Sequence, residues 1–117
     1  MPDIKNPLPE CPSSPNCMRK AFVLESDSTQ TFAAVNKALE VLGAETIDVN
    51  PVELKIDAVF RIPVFGYRDD VSIIIQPDEK ASVLFIRSAS REGYWDIFVN
   101  SIRVKRIINK TKKQLSN

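Results

Sequence analysis

Asp70-Val-Ser-Ile-Ile-Ile-Gln-Pro-Asp-Glu-Lys-Ala-Ser-Val-Leu-Phe-Ile-Arg-Ser-Ala-Ser90 is the stretch on which the fold turns. Two runs rich in Val, Ile, Leu and Phe, residues 70–76 and 81–90, flank the turn-forming tetrad Pro77-Asp78-Glu79-Lys80 and read as a β-hairpin. With those four residues as the loop, Gln76 faces Ala81 and Asp70 lies opposite Arg87. Directly opposed residues share a face, so these two can form a cross-strand ion pair. Both faces of the hairpin are apolar, which places it inside a sheet with cover on each side.

Working toward the N-terminus, Val52, Leu54, Ile56, Ala58, Phe60 and Ile62 alternate with Glu53, Lys55, Asp57 and Arg61. That period of two predicts a long strand with one wet face, stopped by Pro63. Before it come a turn at Asn50-Pro51 and a short strand from Ala44 to Val49. Residues 29–42 predict a helix: Ser28 as N-cap, an apolar stripe of Phe32, Val35, Leu39 and Leu42, and Gly43 at the C′ position. Residues 20–25 suggest a first strand. Residues 1–19 hold most of the prolines and both cysteines and read as an extended arm ahead of a single domain, residues 20–117.

Toward the C-terminus the hairpin runs into Arg87-Ser-Ala-Ser-Arg-Glu-Gly-Tyr-Trp-Asp-Ile-Phe-Val-Asn-Ser-Ile-Arg103. A second helix starts near Ile97 or Ser101, with Asp96 or Asn100 as candidate N-caps, and ends near Gln114. Ile102, Val104, Ile107, Ile108 and Leu115 supply its apolar stripe. From Ile97 onward there are six basic residues and no acidic one. The expectation is an α+β domain: an antiparallel sheet of four to five strands, two helices, and a proline-rich N-terminal arm laid across the sheet.

Composition narrows the chemistry. The 117 residues carry 16 basic and 15 acidic side chains, so global charge gives no case for a nucleic-acid binder. Histidine is absent, which removes Ser-His-Asp and Cys-His nucleophile pairs and the commonest transition-metal ligand. No cofactor motif and no full metal-ligand set is present. The chain shows no secretory signal and no apolar run near the ~20 residues of a membrane span.

Two signatures carry a family resemblance. Cys11-Pro-Ser-Ser-Pro-Asn-Cys17 matches Cys-Pro-x-Ser-Pro-Asn-Cys. Asp69-Asp70-Val71, then Arg87-Ser-Ala-Ser-Arg91, Gly93-Tyr94, Asp96, Asn100, Arg103 and Val104 match the second. On these residues the chain resembles the domain of unknown function 1499 family from residue 8 to about residue 110. The resemblance implies a small α+β domain of bacteria and plastids, exported or membrane-tethered in many members, with no agreed activity. The chain departs from the pattern at Ser72, where the family usually has glutamate, and at Arg61-Ile-Pro-Val, which is more apolar than the usual Arg-Ser run. The missing carboxylate weakens a metal or acid–base role on that strand.

Three candidate sites emerge. Cys11 and Cys17 can form a disulfide across their short loop, stay as free or redox-active thiols, or hold a metal that would lack its other two ligands here. Asp69 and Asp70 are weak candidates for catalytic carboxylates. Neighbouring strand positions point to opposite faces, so the better reading is that one of them neutralises Arg87 or Arg91. Arg87, Ser88, Ser90, Arg91, Tyr94, Asn100 and Arg103 form the candidate ligand-binding cluster.

The cluster has two readings. One is an anion site made of guanidiniums and hydroxyls, with Tyr94 and Trp95 available to stack. The other is an internal polar network of Arg87, Asp70, Asp96, Asn100 and Arg103 that fixes the strand-to-helix junction. The leading expectation is a non-enzymatic module binding a small anionic ligand or a partner protein at that junction. The rival is a hydrolase or isomerase with an Asp base and Arg87 as anion clamp. The basic face of the last helix offers contact with a membrane surface, although lysines there also suit the helix dipole.

Overall fold

The computed structural model describes residues 5–12, 16–63, 66–91 and 98–116. Its seven elements are β1 (Cys17–Leu24), α1 (Ser28–Val41), β2 (Thr46–Asn50), β3 (Lys55–Arg61), β4 (Arg68–Asp78), β5 (Ala81–Ser90) and α2 (Val99–Leu115). The strands form one antiparallel sheet in the order β1-β5-β4-β3-β2. The 70–90 hairpin is interior, as its two apolar faces require.

Alternation along the strands sorts the side chains. Ile56, Ala58 and Phe60 of β3, Val71, Ile73 and Ile75 of β4, and Leu84 and Ile86 of β5 point to one face. There they meet Val35 and Leu39 of α1 and Val104, Ile107 and Ile108 of α2, all of them buried. The opposite face has a smaller cluster, in which Leu8 of the arm covers Val83 and Phe85 with Ile74 alongside.

α1 is stopped and started locally. Asp27, rather than Ser28, is the N-cap, accepting from Gln30 N at 2.8 Å. Gly43 follows the C-cap with φ +85°, the left-handed conformation a C′ glycine supplies. Thr31 and Ser82 share a buried 2.7 Å hydrogen bond, and Ser82 Oγ donates to Ser26 O at 2.8 Å, which pins the start of α1 to the start of β5.

Other boundaries also differ from the sequence reading. The alternation at Val52 and Leu54 is not strand: residues 51–54 form the β2–β3 loop, Leu54 has φ +54°, and Val52 is 92% exposed. Asn50 Oδ1 accepts from Glu53 N and closes that turn. The 70–90 hairpin is tighter than expected. Asp78 pairs with Ala81, so Asp70 lies opposite Ala89 and Arg87 opposite Ser72. Pro77 is tolerated within β4 because pairing with β3 ends at Ile74, leaving a local edge where its missing donor is not needed. The shift is two residues, so faces are kept while partners change. In α2, Ile102 is 48% exposed and leaves the buried stripe; Asn100 and Thr111 are buried there with Val104, Ile107 and Ile108.

Candidate functional site

Strand alternation divides the polar cluster between the two faces of the sheet. Asp69, Ser88 and Ser90 share the helix-covered face with Asn100 and Arg103. Arg87, Arg91 and Asp70 share the outer face, the one the arm crosses. The sequence reading applied this rule to Asp69 and Asp70 but not to the arginines and serines of β5, where it holds equally. Of the expected single network, Asn100 and Arg103 therefore fall on one face and Arg87 and Asp70 on the other, while its fifth member, Asp96, lies outside the described residues.

The inner assembly is sealed. The Asp69 side chain is fully buried; its Oδ2 accepts from Arg103 Nη2 at 2.7 Å and its Oδ1 from Ser90 Oγ at 2.8 Å. The Arg103 guanidinium lies 4.5 Å from the centroid of the Phe60 ring. Asn100 is not an N-cap: α2 is preceded by Phe98 at φ +72° with no side-chain cap. At the second position of the helix, Asn100 Oδ1 accepts from Ser88 Oγ, and its Nδ2 donates to Asn16 O at 2.8 Å and Ser90 Oγ at 3.2 Å. Asn16 O also accepts from Ser90 N. The entry to β1, β4, β5 and the start of α2 are thus tied at one point. A carboxylate so enclosed, with both oxygens engaged, is a structural tie and not an available base.

The outer assembly is partly open. Arg91 grips Asp70 bidentately, Nε to Oδ2 at 2.9 Å and Nη2 to Oδ1 at 2.8 Å, with both side chains about half exposed. An ion pair so exposed contributes at most about 1 kcal/mol. Arg87 differs. It stands directly opposite Arg19 on β1 and Ser72 on β4, its Nε is buried, and that atom has no hydrogen-bond partner among the described residues. Arg19 Nη1 donates to Leu8 O at 2.9 Å, and Ser72 Oγ donates to Asp57 Oδ1 at 3.0 Å. Across the sheet the facing row reads Arg19, Arg87, Ser72, Asp57, Asp48, positive at one end and negative at the other.

The cysteine alternatives resolve to a disulfide. Cys11 and Cys17 are bonded, with Cα atoms 5.6 Å apart, and Cys17 is buried at the start of β1. The bridge holds the arm against the edge strand that carries Arg19. Arg19 itself was not visible as a site residue, because only the non-local pairing of β1 with β5 brings it to Arg87. Another pair missed by the sequence reading is Arg68 with Glu45, at 2.7 Å, whose hydrogen bond holds the Glu45 carboxyl below the usual glutamate range. Tyr94, Trp95 and Asp96 lie outside the described residues. A shallow groove of ≈ 380 Å³ between the start of α1 and the end of α2 is lined by Gln30, Lys37, Gln114 and Leu115, among others, and by none of the candidate residues.

The fold and its two polar assemblies define a small α+β domain, a five-stranded antiparallel sheet carrying two helices on one face. The chain belongs to the family described as protein of unknown function DUF1499, which matches residues 7–110. No curated protein sequence matches it. Among solved structures, the chain is similar to Ara h 8.0201, with a TM-score of 0.61 at 9% identity, over 86% of this chain and 98% of that one. It is also similar to CV1439 from Chromobacterium violaceum, with a TM-score of 0.58 at 15% identity, over 86% and 94% of the two chains. TTHA0849 from Thermus thermophilus gives a TM-score of 0.57 at 9% identity, over 85% and 96%. At these identities the likeness is one of fold. No helix among the described residues is long and apolar enough to cross a membrane.

Proposed function

We propose that the protein is a non-enzymatic binding module that takes a small oxyanion, such as a phosphate, sulfate or carboxylate group, between Arg87 and Arg19 on the outer face of the sheet. The observation that carries this reading is the Arg87 guanidinium, half-buried opposite a second arginine, with its Nε unpartnered among the described residues. Like charges directly opposed across strands repel. An anion between them turns that repulsion into two charge-assisted contacts in a geometry guanidinium suits. Asp57 bounds the site beyond Ser72 and limits the ligand to the Arg19 side. The enzyme alternative gains no support from Asp69, sealed on the other face, or from Asp70, held by Arg91.

The test is an NMR titration with inorganic phosphate and with sulfate. The Arg87 side-chain Nε–H and the Ser72 amide should shift saturably in the native protein, and the shifts should vanish in Arg87→Gln and weaken in Arg19→Gln. Without ligand, Arg87→Gln should be neutral or slightly stabilising in urea, because it relieves the Arg19 contact. A titration that never saturates, or one that Arg87→Gln leaves intact, would overturn the proposal.

A further inference from the structure

The charge of this protein is unevenly distributed between its layers. Six of its 16 basic residues and none of its 15 acidic ones lie on α2. α1 has a single lysine and a single glutamate, Lys37 and Glu40, paired with each other at 3.8 Å. The helix layer is therefore net positive by six, and the rest of the chain, with nine basic residues against 14 acidic ones, is net negative by five. A near-neutral total hides a strongly basic pair of helices.

α2 concentrates that charge on one line. Lys105, Arg106, Lys112 and Lys113 are exposed, and with Ile102 and Asn109 they fall within an arc of about 120° at 3.6 residues per turn. At the N-terminal end of the same line two large apolar side chains face solvent, Ile102 at 48% exposure and Phe98 at 66%. The buried side of the helix is complete without them: Val104, Ile107 and Ile108 already fill the core. Lysines at a helix C-terminus suit the dipole, but that accounts only for the last turn, Lys112 and Lys113. It does not account for Lys105 and Arg106 in mid-helix, or for exposed Phe98 and Ile102.

We propose that the solvent face of α2 docks on an anionic lipid bilayer, with Phe98 and Ile102 entering the headgroup boundary and Lys105, Arg106, Lys112 and Lys113 against the lipid phosphates and carboxylates. Charge complementarity supplies the attraction, and the apolar pair selects a bilayer over a nucleic acid, which would reward the cations alone. The surface lies on the helix layer, away from the Arg19–Arg87 pair, so the two proposals stand or fall separately.

Co-sedimentation with vesicles tests it. The protein should bind phosphatidylcholine vesicles that contain phosphatidylserine, bind vesicles of phosphatidylcholine alone far less, and release as salt is raised. Lys105→Gln combined with Arg106→Gln should weaken binding about tenfold or more. Phe98→Asn combined with Ile102→Ser should weaken it with a retained salt dependence; asparagine suits the left-handed backbone at position 98, so the helix start is kept. Circular dichroism should show both double variants folded. Absence of binding to the anionic vesicles would overturn the proposal. So would binding that both double variants leave unchanged, or a preference for duplex DNA over the vesicles.

Discussion

Asp69 is a buried carboxylate whose role rests on its partners. Arg103 and Ser90 satisfy it inside the protein, and removal of one member of such a pair strands the other without water. Asp69→Asn is therefore expected to lower stability by roughly 3–5 kcal/mol in urea unfolding. Asp70→Asn, which breaks only the half-exposed pair with Arg91, should cost at most about 1 kcal/mol. Equal costs for the two would mean that the faces are not as different as their burial indicates. That Asp69 and Asp70 diverge was legible in the sequence, since alternation along a strand is a local rule. Which arginine each one meets was not. Asp70 meets Arg91 and Asp69 meets Arg103 because of the hairpin register and the docking of α2, and neither is written in the neighbouring residues.

Among the elements, α1 was the most legible, because a helix carries its own start and stop signals. Gly43 has φ +85° and nothing within 4 Å of where a Cβ would stand. Gly43→Ala thus tests backbone conformation without a clash, and thermal or urea unfolding should show a loss of about 1 kcal/mol. An unchanged midpoint would mean the C-terminus of α1 is held by packing alone. β5 was also read to the residue, Ala81–Ser90, because its boundaries coincide with its apolar run. The β2–β3 loop was misread, since Val52 and Leu54 continue the strand's alternation by composition while the backbone there turns. The hairpin loop was overestimated for a related reason. Proline signals a turn unless the strand is a local edge, and whether it is an edge depends on how far the neighbouring strand extends.

At the scale of the whole molecule, the arm and the sheet form one unit through the Cys11–Cys17 bridge, the Leu8 cover on Val83 and Phe85, and the Arg19 bond to Leu8 O. Closing so short a loop contributes about 2 kcal/mol in the chain-entropy account. The double variant Cys11→Ser with Cys17→Ser should lose about that much stability and keep the sheet. Amide hydrogen exchange in residues 5–12 should accelerate more than in β4 and β5. Uniform acceleration across the chain would show that the bridge supports the sheet itself and not only the arm. The pairing of β1 with β5, from Cys17 opposite Ala89 to Leu24 opposite Ser82, also has a consequence for synthesis. β2 to β5 join as successive hairpins and can assemble in the order the ribosome makes them. β1, made first, has no partner until β5 has left the exit tunnel. Until then Met18, Phe22 and Leu24 remain uncovered on the nascent chain, and of the five strands the earliest made is the last to find its place.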